Sequence, residues 1–257
     1  MDLVIVGGGR AGGALALAST TAGHRLVGLL TRRETDLGPP LSWDEPLPVC
    51  DLVLVAVTDD AIADVAQQLA DIWHGDPVVA HLSGFVSVQA LQPLTAVGAR
   101  VGSMHPLQTL PDPASGARAL AGAWAAITTE HQLASEVLTA FARSLGMRPF
   151  ELADEAKPTY HAAAAAAANY VVESLAVASD LLSSADVPFE VVEPLVRAIV
   201  DNVFATGPDA ALTGPIARGD AATVAGQLAA AAAVSPTVAR QFRLLAEATA
   251  ERVGMTL

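Results

Sequence analysis

The stretch Leu3-Val4-Ile5-Val6-Gly7-Gly8-Gly9-Arg10-Ala11-Gly12, with the alanine-rich run that follows it to Ala22, decides the fold. Four apolar residues end in glycine, and helix-forming residues begin almost at once. Gly7, Gly9 and Gly12 form a G-x-G-x-x-G pattern. Each glycine has its own physical task. Gly7 permits a tight turn, Gly9 lets the backbone approach a pyrophosphate, and Gly12 lets the helix pack closely on the strand. The free N–H groups and the dipole at the helix start then favour a bound phosphate. Such a pattern is weak alone, but it becomes specific between a strand and a helix that open a βαβ unit.

Outward from this loop the pattern repeats. Apolar runs at 24–30, 51–57, 77–81 and 100–104 alternate with helical stretches. Runs that are apolar throughout, rather than alternating, belong to strands buried on both faces. Their separation by helices predicts a parallel sheet. Segments 123–128 and 147–152 extend it. The character changes near residue 153. Pro158 opens a helical run with seven alanines, Ala162 to Ala168, and Pro188, Pro194, Gly207-Pro208, Gly214-Pro215 and Pro236 divide the rest into helices. The expected architecture is α/β: a parallel-sheet domain over 1–152, then an all-α domain over 153–257. The alanine run is expected to mark a buried helix.

The loops after the strands carry the candidate chemistry, because ligands of open α/β sheets bind beyond the strands' carboxyl ends. After the second strand stand Thr31, Arg32 and Arg33, with Glu34 only behind them. An acidic residue there serves the ribose hydroxyls of NAD, whereas arginine pairs with a 2′-phosphate. The expected cofactor is therefore NADP(H). Alternatively, Arg32 and Arg33 form a solvated charge pair. Arg10 either approaches the phosphates or faces solvent. Val57-Thr58 borders the cofactor, and Asp59 or Asp60 is expected to cap the next helix. Ser83, in His81-Leu82-Ser83-Gly84, is placed to hydrogen-bond a substrate carbonyl or carboxylate. His105, held at a strand end by Pro106, suits substrate binding or proton transfer. His81 is either functional or structural.

Composition narrows the classes. The 257 residues carry 14 Lys and Arg against 27 Asp and Glu, a formal net charge of −13. That balance disfavours nucleic acid and anionic membranes as partners. No run of about 18 large apolar residues predicts a membrane span. The single cysteine, Cys50, excludes an internal disulfide and a cysteine zinc site. The N-terminus runs straight into a strand-like segment without a basic region, so a reduced, cytoplasmic setting is expected.

The set G-x-G-R-x-G, D-L-V-L-V-A-V-T-D-D-A-I, H-L-S-G, H-P-L-Q-T, Y-H-A-A-A…A-N-Y and L-T-G-P-I-A-R-G-D resembles a family of Rossmann-like oxidoreductases. The C-terminal half of that family is known as a domain of unknown function, DUF2520. It is similar to the 6-phosphogluconate dehydrogenase-like superfamily, with ketopantoate reductase, pyrroline-5-carboxylate reductase and the β-hydroxyacid dehydrogenases as relatives. The resemblance implies a Rossmann domain, a helical second domain, an active site in the cleft between them, and a homodimer built through the helices. It implies an NADP-dependent oxidoreductase that reduces a small carbonyl or imine compound, for example a 2-keto acid such as ketopantoate. A non-catalytic NADP-binding sensor or scaffold is the alternative, and use of a deazaflavin beside NADP is a third reading.

Relatives of known mechanism place a lysine four residues before a substrate-holding asparagine. Here Asn169 stands at the asparagine position, but Ala165 at the lysine position. The only lysine, Lys157, would lie roughly 18 Å from Asn169 along a helix. His161 is then the other candidate on this helix: an acid, a group at the nicotinamide end, or a residue that orients the domain interface. Asn169, expected to be buried among alanines, would need hydrogen-bond partners that a ligand can supply. Arg218 either binds a substrate carboxylate or bridges to Asp220.

Overall fold

The computed structural model describes residues 1–32 and 35–257. The expected α/β arrangement is present. Strands β1 (Asp2–Val6), β2 (Arg25–Leu30), β3 (Leu52–Val55), β4 (Val78–His81), β5 (Arg100–Leu107), β6 (Trp124–Thr128) and β7 (Arg148–Glu151) form one sheet in the order β2-β1-β3-β4-β5-β6-β7. Helices α1 (Arg10–Thr21), α2 (Ile62–Asp71), α3 (Gln92–Ala96), α4 (Pro113–Ala119) and α5 (Gln132–Ser144) connect them. Every residue of β3 and β4 is buried, as their unbroken apolar runs require of strands covered on both faces. One core cluster contains Leu3, Ile5, Leu15 and Phe141, and another contains Val4, Val53, Ile62 and Leu69.

One expectation needs correction. The sheet is not parallel throughout, because β6 runs antiparallel to β5. A parallel crossover needs a connection long enough to run back along the sheet. Here the link is spent on α4, which docks against α1. A Cβ on Gly116 would come 2.9 Å from Ala14, and one on Gly13 would come 2.8 Å from Pro113. The chain therefore re-enters the sheet from the end where β5 stops.

The chain divides into two compact units, Met1–Ala164 and Ala165–Leu257. The division falls inside helix α6 (Lys157–Ser184), twelve residues beyond the break expected at 152/153, because the first two turns of α6 belong to the sheet unit. The second unit also contains α7 (Glu193–Thr206), α8 (Pro208–Ala211), α9 (Ala221–Val234) and α10 (Pro236–Arg252). Its small core is Val177, Ala231 and Val238. The alanine run of α6 is mostly exposed rather than buried, and Asn169 is exposed with it. The burial expected for the alanine run and for Asn169 is therefore absent within either unit. The stretch Asp154–Ser184 is long and apolar enough to cross a membrane by length and composition. Its longest apolar run is alanine, and Lys157 ties its first turn to the sheet unit through bonds to Ser83 and Ser103.

Candidate functional site

The glycine loop follows its physics closely. Gly7 has φ +106°, and a Cβ there would lie 2.4 Å from the Ala56 carbonyl oxygen. A Cβ on Gly12 would lie 1.9 Å from the Gly7 carbonyl oxygen. Gly9 differs, since a Cβ there would meet nothing within 4 Å. It opens onto a cavity of about 510 Å³ lined by Gly9, Arg10, Ala11, Ala56, Val57, Thr58 and Leu110. Gly9 is also the N-cap of α1, and no side chain caps the helix there. The first N–H groups of α1 therefore lack a side-chain acceptor, which is the arrangement that holds a phosphate. Gly9, Arg10, Val57 and Thr58 are thus brought together as the sequence suggested, with Gly7 and Gly12 shaping the backbone behind them. Thr31 lies on the other side of the loop, its Oγ1 3.2 Å from where a Gly8 Cβ would sit. Arg32 is exposed just beyond β2. Arg33 lies outside the described residues.

A larger cavity of about 660 Å³ lies over the start of β5 and the ends of β6 and β7, with Val101, Thr128 and Leu152 in its wall. That is the opposite edge of the sheet from the glycine loop. The site is placed at the smaller cavity, because the glycine loop and the α1 N-terminus both line it.

Beside that cavity stands a connected set of polar groups. Asp59 follows Thr58, but it caps no helix. Its Oδ2 instead accepts a 2.8 Å bond from Ser83 Oγ. Ser83 Oγ in turn accepts from the backbone N–H groups of Phe85 (3.1 Å) and Val86 (2.9 Å). The hydroxyl expected to meet substrate thus has its proton and its lone pairs in use within the loop. Asp59 is thus the partner of Ser83 rather than a helix cap, and Ser83 shapes the turn after β4.

His81 is fully buried. Its Nδ1 accepts from the Ser83 N–H at 3.2 Å, which assigns the ring proton to Nε2. Burial, with Lys157 nearby, pushes the imidazole down to about 3, so it stays neutral. Of the two roles left open for it, the surroundings fit the structural one.

Lys157 is the residue that sequence reasoning underrated. It is 1% exposed. Its Nζ donates to the Ser83 carbonyl oxygen at 2.9 Å and to Ser103 Oγ at 2.7 Å, tying the β4 loop, β5 and the first turn of α6 together. Burial pushes it down to about 8, against the opposing pull of Asp154 and Asp59. Asp154 in turn accepts from Ser87 Oγ and from the Val88 N–H. A lysine at the head of a helix carries no sequence mark of burial. Only the count, one lysine in 257 residues, set it apart.

His105 is half-buried, and its Nδ1 lies 2.9 Å from the Tyr160 hydroxyl. The two rings meet edge to face, with centroids 5.5 Å apart. The His161 ring lies 6.1 Å from that of His105 and 5.9 Å from that of Phe85. Gly84 presses on the same imidazole, since a Cβ there would lie 2.8 Å from His105 Nδ1. Burial, with His161 and Lys157 adding to it, pushes His105 down to about 4. Burial pushes the Tyr160 phenol up to about 12. The structure brings His105 and His161 together, and Tyr160 joins them unforeseen. Its signal was the Y-H pair that opens the alanine run. Asn169 lies in the second unit. So does Arg218, where Asp220 spends its carboxylate capping α9 through the Thr223 N–H and Oγ1.

Comparisons with known proteins agree with this fold. A Rossmann-like domain model matches residues 1–106, and the model of a domain of unknown function, DUF2520, matches residues 123–249. No curated protein matches. Among solved structures, a Bacteroides fragilis protein provisionally assigned as an NADP oxidoreductase is similar at 24% identity and TM-score 0.83, over 97% of this chain and 98% of that one. Plasmodium falciparum pyrroline carboxylate reductase with NADP bound is similar at 15% identity and TM-score 0.64, over 98% of each chain. A Streptomyces aurantiacus imine reductase is similar at 16% identity and TM-score 0.71, over 98% of this chain and 94% of that one. At these identities the shared property is the fold. The chain thus joins a match to the Rossmann-like domain model with a following match to the DUF2520 model.

Proposed function

We propose that this chain is an NADP-dependent reductase of a small carbonyl or imine compound. The observation that carries the reading is the open cradle at Gly9, an uncapped helix start facing a cavity, in the same unit as the His105–Tyr160 pair on β5 and the first turn of α6. The cradle fits a dinucleotide, because it leaves space where a side chain would otherwise stand and N–H groups where a phosphate needs them. Backbone at Gly7, Gly9, Arg10 and Gly12 would hold the pyrophosphate, with Val57 and Thr58 along one wall. Thr31 and Arg32, with Arg33 next in the sequence, would read the 2′-phosphate of NADP. Once bound, the reduced cofactor supplies two electrons and one hydrogen to the substrate carbon. The chain then has to orient the substrate, exclude water and deliver a proton to the substrate oxygen or nitrogen. Asp59, Ser83, His81 and Lys157 fix the loop against which His105 rests, and His161 lies beside it.

The named neighbours lend support by analogy, one having NADP bound and another being an imine reductase. A 2-keto acid such as ketopantoate and a cyclic imine are the two substrates to try first. The test is consumption of NADPH, followed by nicotinamide absorbance, across a panel of 2-keto acids, ketolactones and cyclic imines. Turnover of at least one compound supports the reading; saturable NADPH binding without turnover of any would favour a sensor or scaffold.

A homodimer through the helical unit is part of the same proposal. Leu195, Phe204, Val172 and Leu244 are exposed at 68%, 88%, 66% and 59%. Exposed apolar side chains of this size support association through the helical unit, and a second copy of the chain is the simplest closed partner.

A further inference from the structure

We propose that Tyr160 is the residue that gives the proton to the substrate, with His105 holding the resulting phenolate; this rests on the reductase reading above. The inference comes from which groups around the β4 loop remain able to act. The Ser83 hydroxyl is committed to Asp59 and two backbone N–H groups. His81 is fully buried. Lys157 is 1% exposed, with its ammonium bonded to Ser83 and Ser103. Tyr160, His105 and His161 are the half-buried members of the set.

Within the Tyr160–His105 pair, chemistry orders the donors. The phenol stays protonated and the imidazole stays neutral at neutral pH. A phenol O–H, with an ordinary value of about 10, releases its proton far more readily than the N–H of a neutral imidazole. A phenol oxygen also accepts one bond while donating another. The proposal requires His105 to carry its proton on Nδ1 and donate to the Tyr160 oxygen, which leaves the Tyr160 O–H for the substrate. In the step itself the Tyr160 O–H bond breaks and an O–H or N–H bond forms on the substrate. The phenolate is stabilised by the Nδ1–H bond and takes back a proton from water once product leaves. Lys157 and Gly84 act as positioning residues, the first by fixing the Ser83 carbonyl and the second by contact with the His105 ring.

The test pairs kinetics with a measurement that needs no turnover. Tyr160→Phe should lower kcat by about 10²- to 10⁴-fold, the usual weight of a positioned general acid. Its NADPH affinity should stay within about threefold of wild type, and the fold should persist. Independently, nitrogen chemical shifts of the His105 ring in the cofactor-free protein should show the neutral tautomer protonated at Nδ1. Tyr160→Phe retaining kcat within about threefold, with His161→Phe losing it instead, would assign the proton to His161 and overturn the proposal. So would a His105 ring protonated at Nε2, because the phenol would then be donating into Nδ1. Should the wild-type protein reduce no compound of the panel, the reductase reading fails on its own, and the tautomer still decides whether the Tyr160 proton is free.

Discussion

Lys157 holds an ammonium that is 1% exposed and tethered by two hydrogen bonds, and its depressed proton affinity has a measurable consequence. Burial pushes it to about 8 from an ordinary 10.5. Between those values the unfolded chain keeps a proton that the folded chain has released, so stability rises with pH through that window. The gain is complete above the unfolded value and lost as pH falls through about 8. Denaturant unfolding of wild type and Lys157→Met should show the wild-type advantage growing by about 3 kcal/mol across the window; a constant difference would contradict it. Gly9 supports a second prediction at the same scale. Its φ of −75° suits alanine, and a Cβ there meets nothing. Gly9→Ala should keep stability within about 0.5 kcal/mol of wild type by thermal melting. It should weaken NADPH binding at least about tenfold by calorimetry.

The loop after β4 is the element on which the site depends, and its stiffness is built from a few bonds. Ser83 links its own turn to Asp59 on the loop after β3, and Lys157 links the same turn to β5. Ser83→Ala leaves Asp59 and two N–H groups short of a partner. It should cost about 1–3 kcal/mol, read as a lower urea midpoint at an unchanged slope. Strands of this kind are easy to see in a sequence, because a strand covered on both faces demands an unbroken apolar run such as that of β3. The glycine loop was legible for a similar reason, each glycine answering one steric demand. The direction of β6 was not, because nothing in 123–128 records that α4 would dock on α1. The partners of Ser83, Tyr160 and Lys157 were hidden likewise. They lie 24, 55 and 74 positions away in the chain, and no local pattern encodes such pairs.

At the scale of the molecule, the sheet unit holds two large apolar cores, whereas the helical unit has one small core and several exposed apolar side chains. The alanine run looked like the inside of a core, and its composition was right for close helix packing. What it would pack against cannot be read within one chain. If a second copy covers this surface, light scattering after size-exclusion chromatography should give twice the 26.2 kDa chain mass. Phe204→Glu with Leu195→Glu should shift it to the monomer value. A wild-type monomer at micromolar concentration would contradict the dimer and leave the surface for another partner.

The central claim is that the glycine loop holds NADP. Calorimetric titration of the wild-type protein with NADPH, with NADH as the comparison, tests it most directly. The account predicts saturable binding of one NADPH per chain, at least about tenfold tighter than NADH, a difference of about 1.4 kcal/mol from contacts to the 2′-phosphate. Absence of saturable NADPH binding would contradict the cofactor site itself, and equal affinity for the two cofactors would contradict the role given to the arginines after β2.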